Sequence, residues 1–163
     1  MNFVDDTTGT SLAWMCEEET TTAAMRVLWT WIETYGIPQV LYCDRKTVYV
    51  TDREPTAAEI LAGDEPLTAF GQACKKLGIR IMAAHSPQAK GRVERDHAVY
   101  QDRLVKELAL RGITTVAGAN MLLEGGFVAH LNAKFAKPPV DRLDGHRPLS
   151  GDVALRDVFV FEA

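Results

Sequence analysis

The first apolar runs of the chain, NFV and SLAWMC, are short, and Asp5, Asp6, Thr7, Thr8 and Gly9 lie between them. Such residues supply turn chemistry, so the pattern predicts an antiparallel hairpin. Next, Ala24, Val27, Leu28, Trp31, Ile32 and Tyr35 recur at helical spacing behind the capping threonines 20–22, and Gly36 and Pro38 stop the helix. QVLYCD then has the length and composition of a buried strand and finishes on Asp44. Residues 45–66 are polar and irregular, with Pro55, Gly63 and Pro66, and read as an excursion holding a short helical piece at 56–62. Beyond it, Leu67, Phe70, Cys74 and Leu77 form one stripe closed by Gly78, and IRIMAA comes next as a strand. Helix and strand alternating in this way imply a parallel strand pair.

The loop HSPQAKG leads into the longest predicted helix, roughly 92–110, with the apolar line Val93, His97, Tyr100, Leu104 and Leu108. His97 on that line reads as a hydrogen-bonded core residue. A further helical region covers 116–136, weakened at Gly125 and Gly126. From Pro138 the text is loop-like, and DVFVFEA predicts a strand. There is no internal repeat and no low-complexity segment.

Composition narrows the class. At 163 residues, 47% hydrophobic and 25% charged, the chain has the size and make-up of one globular domain. No apolar run approaches membrane-spanning length, and MNFVDDTTGT lacks the basic-then-apolar order of a secretion signal, so a soluble, cytoplasmic protein is expected. Cys16, Cys43 and Cys74 stand far apart and are expected as buried free thiols. Trp14, Trp29 and Trp31 read as core or interface. Eighteen basic against 22 acidic side chains leave a net charge of −4, the wrong sign for holding a polyanion by bulk electrostatics alone.

Two acids stand in chemically informative places. Asp44 closes a strand, and Glu94 falls in the first turn of the predicted long helix. Carboxylates so placed can converge while distant in sequence, and hard cations such as Mg²⁺ take oxygen ligands. Taken singly, each has a plainer reading: acids favour first helical turns, and aspartate favours turns. Asp5 and Asp6, just before Thr-Thr-Gly, read as turn residues of the hairpin.

The order strand–Asp44, helix, strand, then HSPQAKGRVER resembles the DDE transposase and retroviral-type integrase core. The matching positions are Pro87, Gln88, Lys90, Gly91, Glu94 and Arg95. The text HLNAKFAKPP with DGHRPL is similar to the stretch just after the core in bacterial insertion-sequence transposases, through Asn132, Phe135 and Pro139. Phe135 would be core on the plainer reading. The Asp44–Glu94 separation exceeds the family's usual one, and the excess is assigned to the 45–66 excursion.

The resemblance implies an α/β, ribonuclease-H-like mixed sheet, an antiparallel hairpin plus parallel strands flanked by helices, here lacking the first strand. It implies an integrase-type core over 1–137, and a linker with the start of a C-terminal region over 138–163. Asp44 and Glu94 would be catalytic and hold two Mg²⁺ or Mn²⁺ ions; the first catalytic Asp would lie upstream of residue 1, leaving these residues inactive alone. Lys90, Arg92 and Arg95 would contact DNA, and His85 could orient substrate. The implied activity is metal-dependent phosphodiester cleavage and strand transfer on transposon ends and target DNA, by a homodimer or higher homo-oligomer without a membrane partner. Two alternatives stay open: a non-catalytic DNA-binding or dimerisation module, and a ribonuclease-H-like nuclease of another kind.

Overall fold

The computed structural model describes residues 1–18, 20–43, 46–83, 87–139 and 145–160, with backbone alone at 46, 83, 87–90, 92 and 93. They divide between two compact units, one formed by Met1–Glu19 with His85–Asp144 and the other by Thr20–Ala84 with Gly145–Ala163.

In the first unit β1 (Asn2–Val4) pairs antiparallel with β2 (Ser11–Ala13), as the apolar pattern requires. Asp5 makes the turn: its carboxylate accepts from the backbone N–H groups of Thr7 (3.1 Å) and Thr8 (3.2 Å) and from the Thr8 hydroxyl (2.5 Å). Helix α4 (Pro87–Leu110) packs on β1. Behind it, α5 (Val116–Leu122) passes through a wide turn at Leu123–Phe127, where Gly126 takes φ 118°, into α6 (Val128–Phe135). The weakness expected at Gly125–Gly126 is therefore a break between two helices. Tyr100 and Leu104 of α4 meet Leu123, Val128 and Leu131 in the core, beneath Leu12 and Met15 of the hairpin.

The outward edge of β2 is closed by side chains. Asn132 of α6 accepts from Ser11 N–H (2.9 Å) and donates to Ser11 C=O (2.8 Å). Asn120 of α5 does the same for Met15, at 2.7 and 2.9 Å. Each primary amide thus pairs with one residue as a neighbouring strand would, satisfying backbone groups that are costly to bury unpaired.

In the second unit α1 (Thr21–Tyr35) starts on the Thr20 hydroxyl, which accepts from Ala23 N–H, and buries Ala24, Val27, Leu28, Trp31 and Ile32. Each large apolar side chain so buried is worth about 1.5–3 kcal/mol. β3 (Val40–Cys43) and β4 (Arg80–Ala83) pair in parallel, joined through α2 (Ala57–Ala62) and α3 (Ala69–Lys76). β3 is not the buried strand that its composition predicted. Tyr42 is 53% exposed and its register partner Met82 39%, because one face of this pair meets solvent.

The C-terminal stretch also differs from expectation. In place of a strand, α7 (Leu155–Val158) is one helical turn, which buries Leu155 and Phe159 on one side, with Phe159 against Trp29 at 5.5 Å between ring centroids. Residues 161–163 lie outside the described residues. Arg147 pairs its backbone with Ile37, and its guanidinium donates to Leu77 C=O (2.6 Å) at the end of α3. His146 Nε2 accepts from Trp31 Nε1 at 3.0 Å.

The cysteines are free, but only Cys74 is buried; Cys16 and Cys43 are partly exposed. Burial pushes the Cys74 thiol up to about 12, with Cys43 adding to the effect. Among the described residues no helix is long and apolar enough to cross a membrane.

Candidate functional site

Helix α4 carries Glu94, and it starts earlier than the sequence suggested. Residues 87–91 are helical where the sequence predicted a loop, and residues 84–86 lie outside the described residues. The reason is local: proline suits the first helical position, and Gln88, Ala89 and Lys90 are good helix formers, enough to carry Gly91. Glu94 consequently sits beyond the first turn, where the macrodipole no longer accounts for it.

Glu94 and Arg95 are exposed, and neither makes a hydrogen bond or ion pair among the described residues. Lys90 and Arg92 lie on the same early turns, with backbone alone described. Asp44 and His85 lie outside the described residues, so the meeting of Asp44 with Glu94 stays an expectation. Among the described residues no group of three or more His, Cys, Asp or Glu side chains could hold a metal ion.

What aims this helix is a polar network that the apolar pattern missed. His97 is exposed and not in the core; the inward polar residue is its neighbour Asp96. Asp96 accepts from the Asn2 amide of β1 at 2.7 Å. One turn on, the Tyr100 hydroxyl lies 3.0 Å from the Ser11 hydroxyl, which is itself 3.3 Å from the Asn132 oxygen. Burial pushes the Asp96 carboxyl up, against the downward pull of its bonds to Asn2 and Ser11 and of nearby His97. The visible signal was Asp96 and Tyr100 one turn apart, leading into buried Leu104.

Chemically, Glu94 is a solvated carboxylate on a long helix, without a partner among the described residues. As a hard oxygen donor it fits a magnesium-type cation, although one carboxylate alone is a weak ligand set.

No family model matches the chain. It is 35% identical over 158 residues to the putative transposase y4bF of Sinorhizobium fredii (strain NBRC 101917 / NGR234), covering 96% of this chain and 33% of that protein. It also matches the catalytic core domain of BIV integrase, with a TM-score of 0.50 and 24% identity over 96% of this chain and 81% of that one. The chain is a transposase relative with an integrase-core fold.

Two further likenesses agree with this. The transposase for insertion sequence IS1202 of Streptococcus pneumoniae is 36% identical over 121 residues, 74% of this chain and 25% of that protein. A chain of the simian T-cell lymphotropic virus intasome, solved in complex with the PP2A regulatory subunit B56 gamma, gives a TM-score of 0.53 at 18% identity, over 89% of this chain and 50% of that one. This transposase relative spans a third or less of the length of the curated relatives it matches. Its antiparallel hairpin and parallel pair, each a sheet of two strands among the described residues, are the strand pairings that the fold class called for.

Proposed function

We propose that this chain is the DNA-cleaving and DNA-joining core of a transposase, a polynucleotidyl transferase in which Asp44 and Glu94 hold the catalytic metal. The observation that carries the reading is its 35% identity with a putative transposase over nearly all of its length. The exposure of Glu94 on α4, with no ion pair or hydrogen bond among the described residues, supports the site assignment.

In this reading water attacks a phosphodiester at the transposon end, the bond to the 3′ oxygen breaks, and a free 3′-hydroxyl is left. That hydroxyl then attacks a phosphodiester of the target, forming a new ester and releasing the target strand's own 3′-hydroxyl. No covalent link to the protein is needed. Two Mg²⁺ or Mn²⁺ ions, when bound, would activate the attacking oxygen and neutralise charge on the leaving one. Asp44 and Glu94 supply oxygen ligands. Lys90, Arg92 and Arg95, on the early turns of α4, hold the phosphates of the reacting strand. Asp5 is a poor choice for a third carboxylate, since its oxygens are used in the hairpin turn; a different acid completes the set in this reading. The working form is a homodimer or higher homo-oligomer on transposon-end and target DNA.

The test is a joining assay on the full-length protein with labelled transposon-end duplex and Mg²⁺. Asp44→Asn or Glu94→Gln abolishes joining while circular dichroism and melting stay those of the wild type. Joining retained in either variant overturns the assignment, as does Mn²⁺ located away from both carboxylates.

A further inference from the structure

We propose that the Phe135 surface of α6 and α4, on the opposite side of α4 from Glu94, is a second contact for the phosphate backbone of duplex DNA. The proposal rests on the chain being a DNA-handling core. Phe135 closes α6 and is 41% exposed. Two cations from different helices lie over its ring: the Arg103 guanidinium at 5.0 Å from the centroid and the Lys134 ammonium at 5.7 Å. A phenyl ring attracts cations through its quadrupole, so Phe135 gathers both charges at one ring.

The acids near Arg103 are ion-paired with other cations, although Asp102 also feels the Arg103 charge. The two acids flanking Arg103 on α4 are each taken by the residue one turn on, Asp102 by Lys106 and Glu107 by Arg111 at 2.7 Å. Neither Arg103 nor Lys134 makes an ion pair among the described residues. Between Phe127 and Pro139 the sequence has no acid but includes His130, Lys134 and Lys137, in a chain whose net charge is −4. Lys137 is fixed nearby through its backbone N–H, which donates to Thr8 C=O at 2.8 Å.

Position decides which ligand fits. Arg103 comes about two and a half helical turns after Glu94, so the two point to opposite sides of α4, roughly 13.5 Å apart along its axis. The patch therefore cannot hold the phosphates reacting beside Glu94 and must take another stretch of duplex. Phosphate oxygens suit a guanidinium and an ammonium held on one ring.

The experiment uses the full chain with a fluorescein-labelled duplex of random sequence in EDTA, following anisotropy through a salt series. Arg103→Glu with Lys134→Glu should weaken binding about tenfold or more at low salt and flatten the slope of log K against log salt by about 2. Phe135→Leu, which keeps bulk and loses the ring, should weaken it about threefold. The pair Arg103→Lys with Lys134→Arg should bind as the wild type does. Unchanged affinity and slope in the charge-reversed chain overturn the proposal and leave the surface to a protein partner. Because no metal is present, that failure is separate from the joining assay: joining lost in Glu94→Gln with unchanged binding here removes this contact alone. A wild-type chain that binds no duplex removes the proposal as well.

Discussion

In the hairpin unit, the outward backbone groups of Ser11 in β2 and of Met15 just beyond it are satisfied by two asparagine amides brought from helices more than a hundred residues downstream. In the other unit, the close contacts are made by backbone against backbone and are allowed by missing side chains. A Cβ on Gly71 of α3 would stand 2.3 Å from Tyr49 C=O, and one on Gly36 would stand 2.8 Å from Arg147 C=O. The first arrangement depends on particular hydrogen-bonding groups, the second on empty space. The difference matters for chemistry, because the Asn132–Ser11–Tyr100 chain is also what orients α4 and hence Glu94. The proposed catalytic helix is therefore aimed by buried polar groups as well as by its apolar stripe.

The strongest attack on this contrast is the double substitution Asn120→Ala with Asn132→Ala. It strips partners from the N–H and C=O of both Ser11 and Met15, each site worth about 1–3 kcal/mol, so the pair should cost about 2–6 kcal/mol in urea unfolding. A loss below about 1 kcal/mol would mean that water replaces the amides and that the edge is not sealed as described. Next in size is Gly71→Ala, where the clash is with backbone that must move as a whole; about 1–3 kcal/mol is expected in the same measurement. An unchanged midpoint would show that the segment at Tyr49 gives way freely.

The smallest effect is local and tied to pH. The Arg53 guanidinium, with the backbone and hydroxyl of Thr56, holds the Glu59 carboxyl down to about 2 from its ordinary 4.5. A depressed carboxyl stabilises the folded form only when ionised. The benefit to α2 is complete above pH 4.5 and fades as pH falls from there through about 2. Protection of the amides of residues 57–62, taken relative to their intrinsic exchange rate at each pH, should fall over that window and lose this dependence in Glu59→Gln.

Much of the scaffold could be read from periodicity. The stripe of α1 and the hairpin with its Asp5 turn come from local pattern, dictated by residues within a few positions of one another, and the parallel order of β3 and β4 follows from the alternation of helix and strand. The errors share a cause, which is that tertiary partners chose between locally equal options. Positions 96 and 97 both border the inward stripe of α4, and only Asn2, far away in the chain, makes Asp96 the inward one. Alternating apolar residues near the C-terminus read as a strand, yet Leu155 and Phe159 at helical spacing find burial in a single turn. Phe135, read as core, instead sits at the surface under two cations. Of the site itself, Glu94 and Arg95 were found on one helix as read, while the partnership of Asp44 with Glu94 depends on long-range folding that pattern alone does not encode.

The sealing of β2 also gives the hairpin a direction of growth. One of its two edges is blocked at Ser11 and Met15 by amides that imitate a strand, so the edge of β1 is the one left for a further strand, from this chain or another. There it would arrive beside Asn2, whose amide grips Asp96 at the base of the helix bearing Glu94. Recruitment of a neighbour and the setting of the α4 helix would then share a single hinge point.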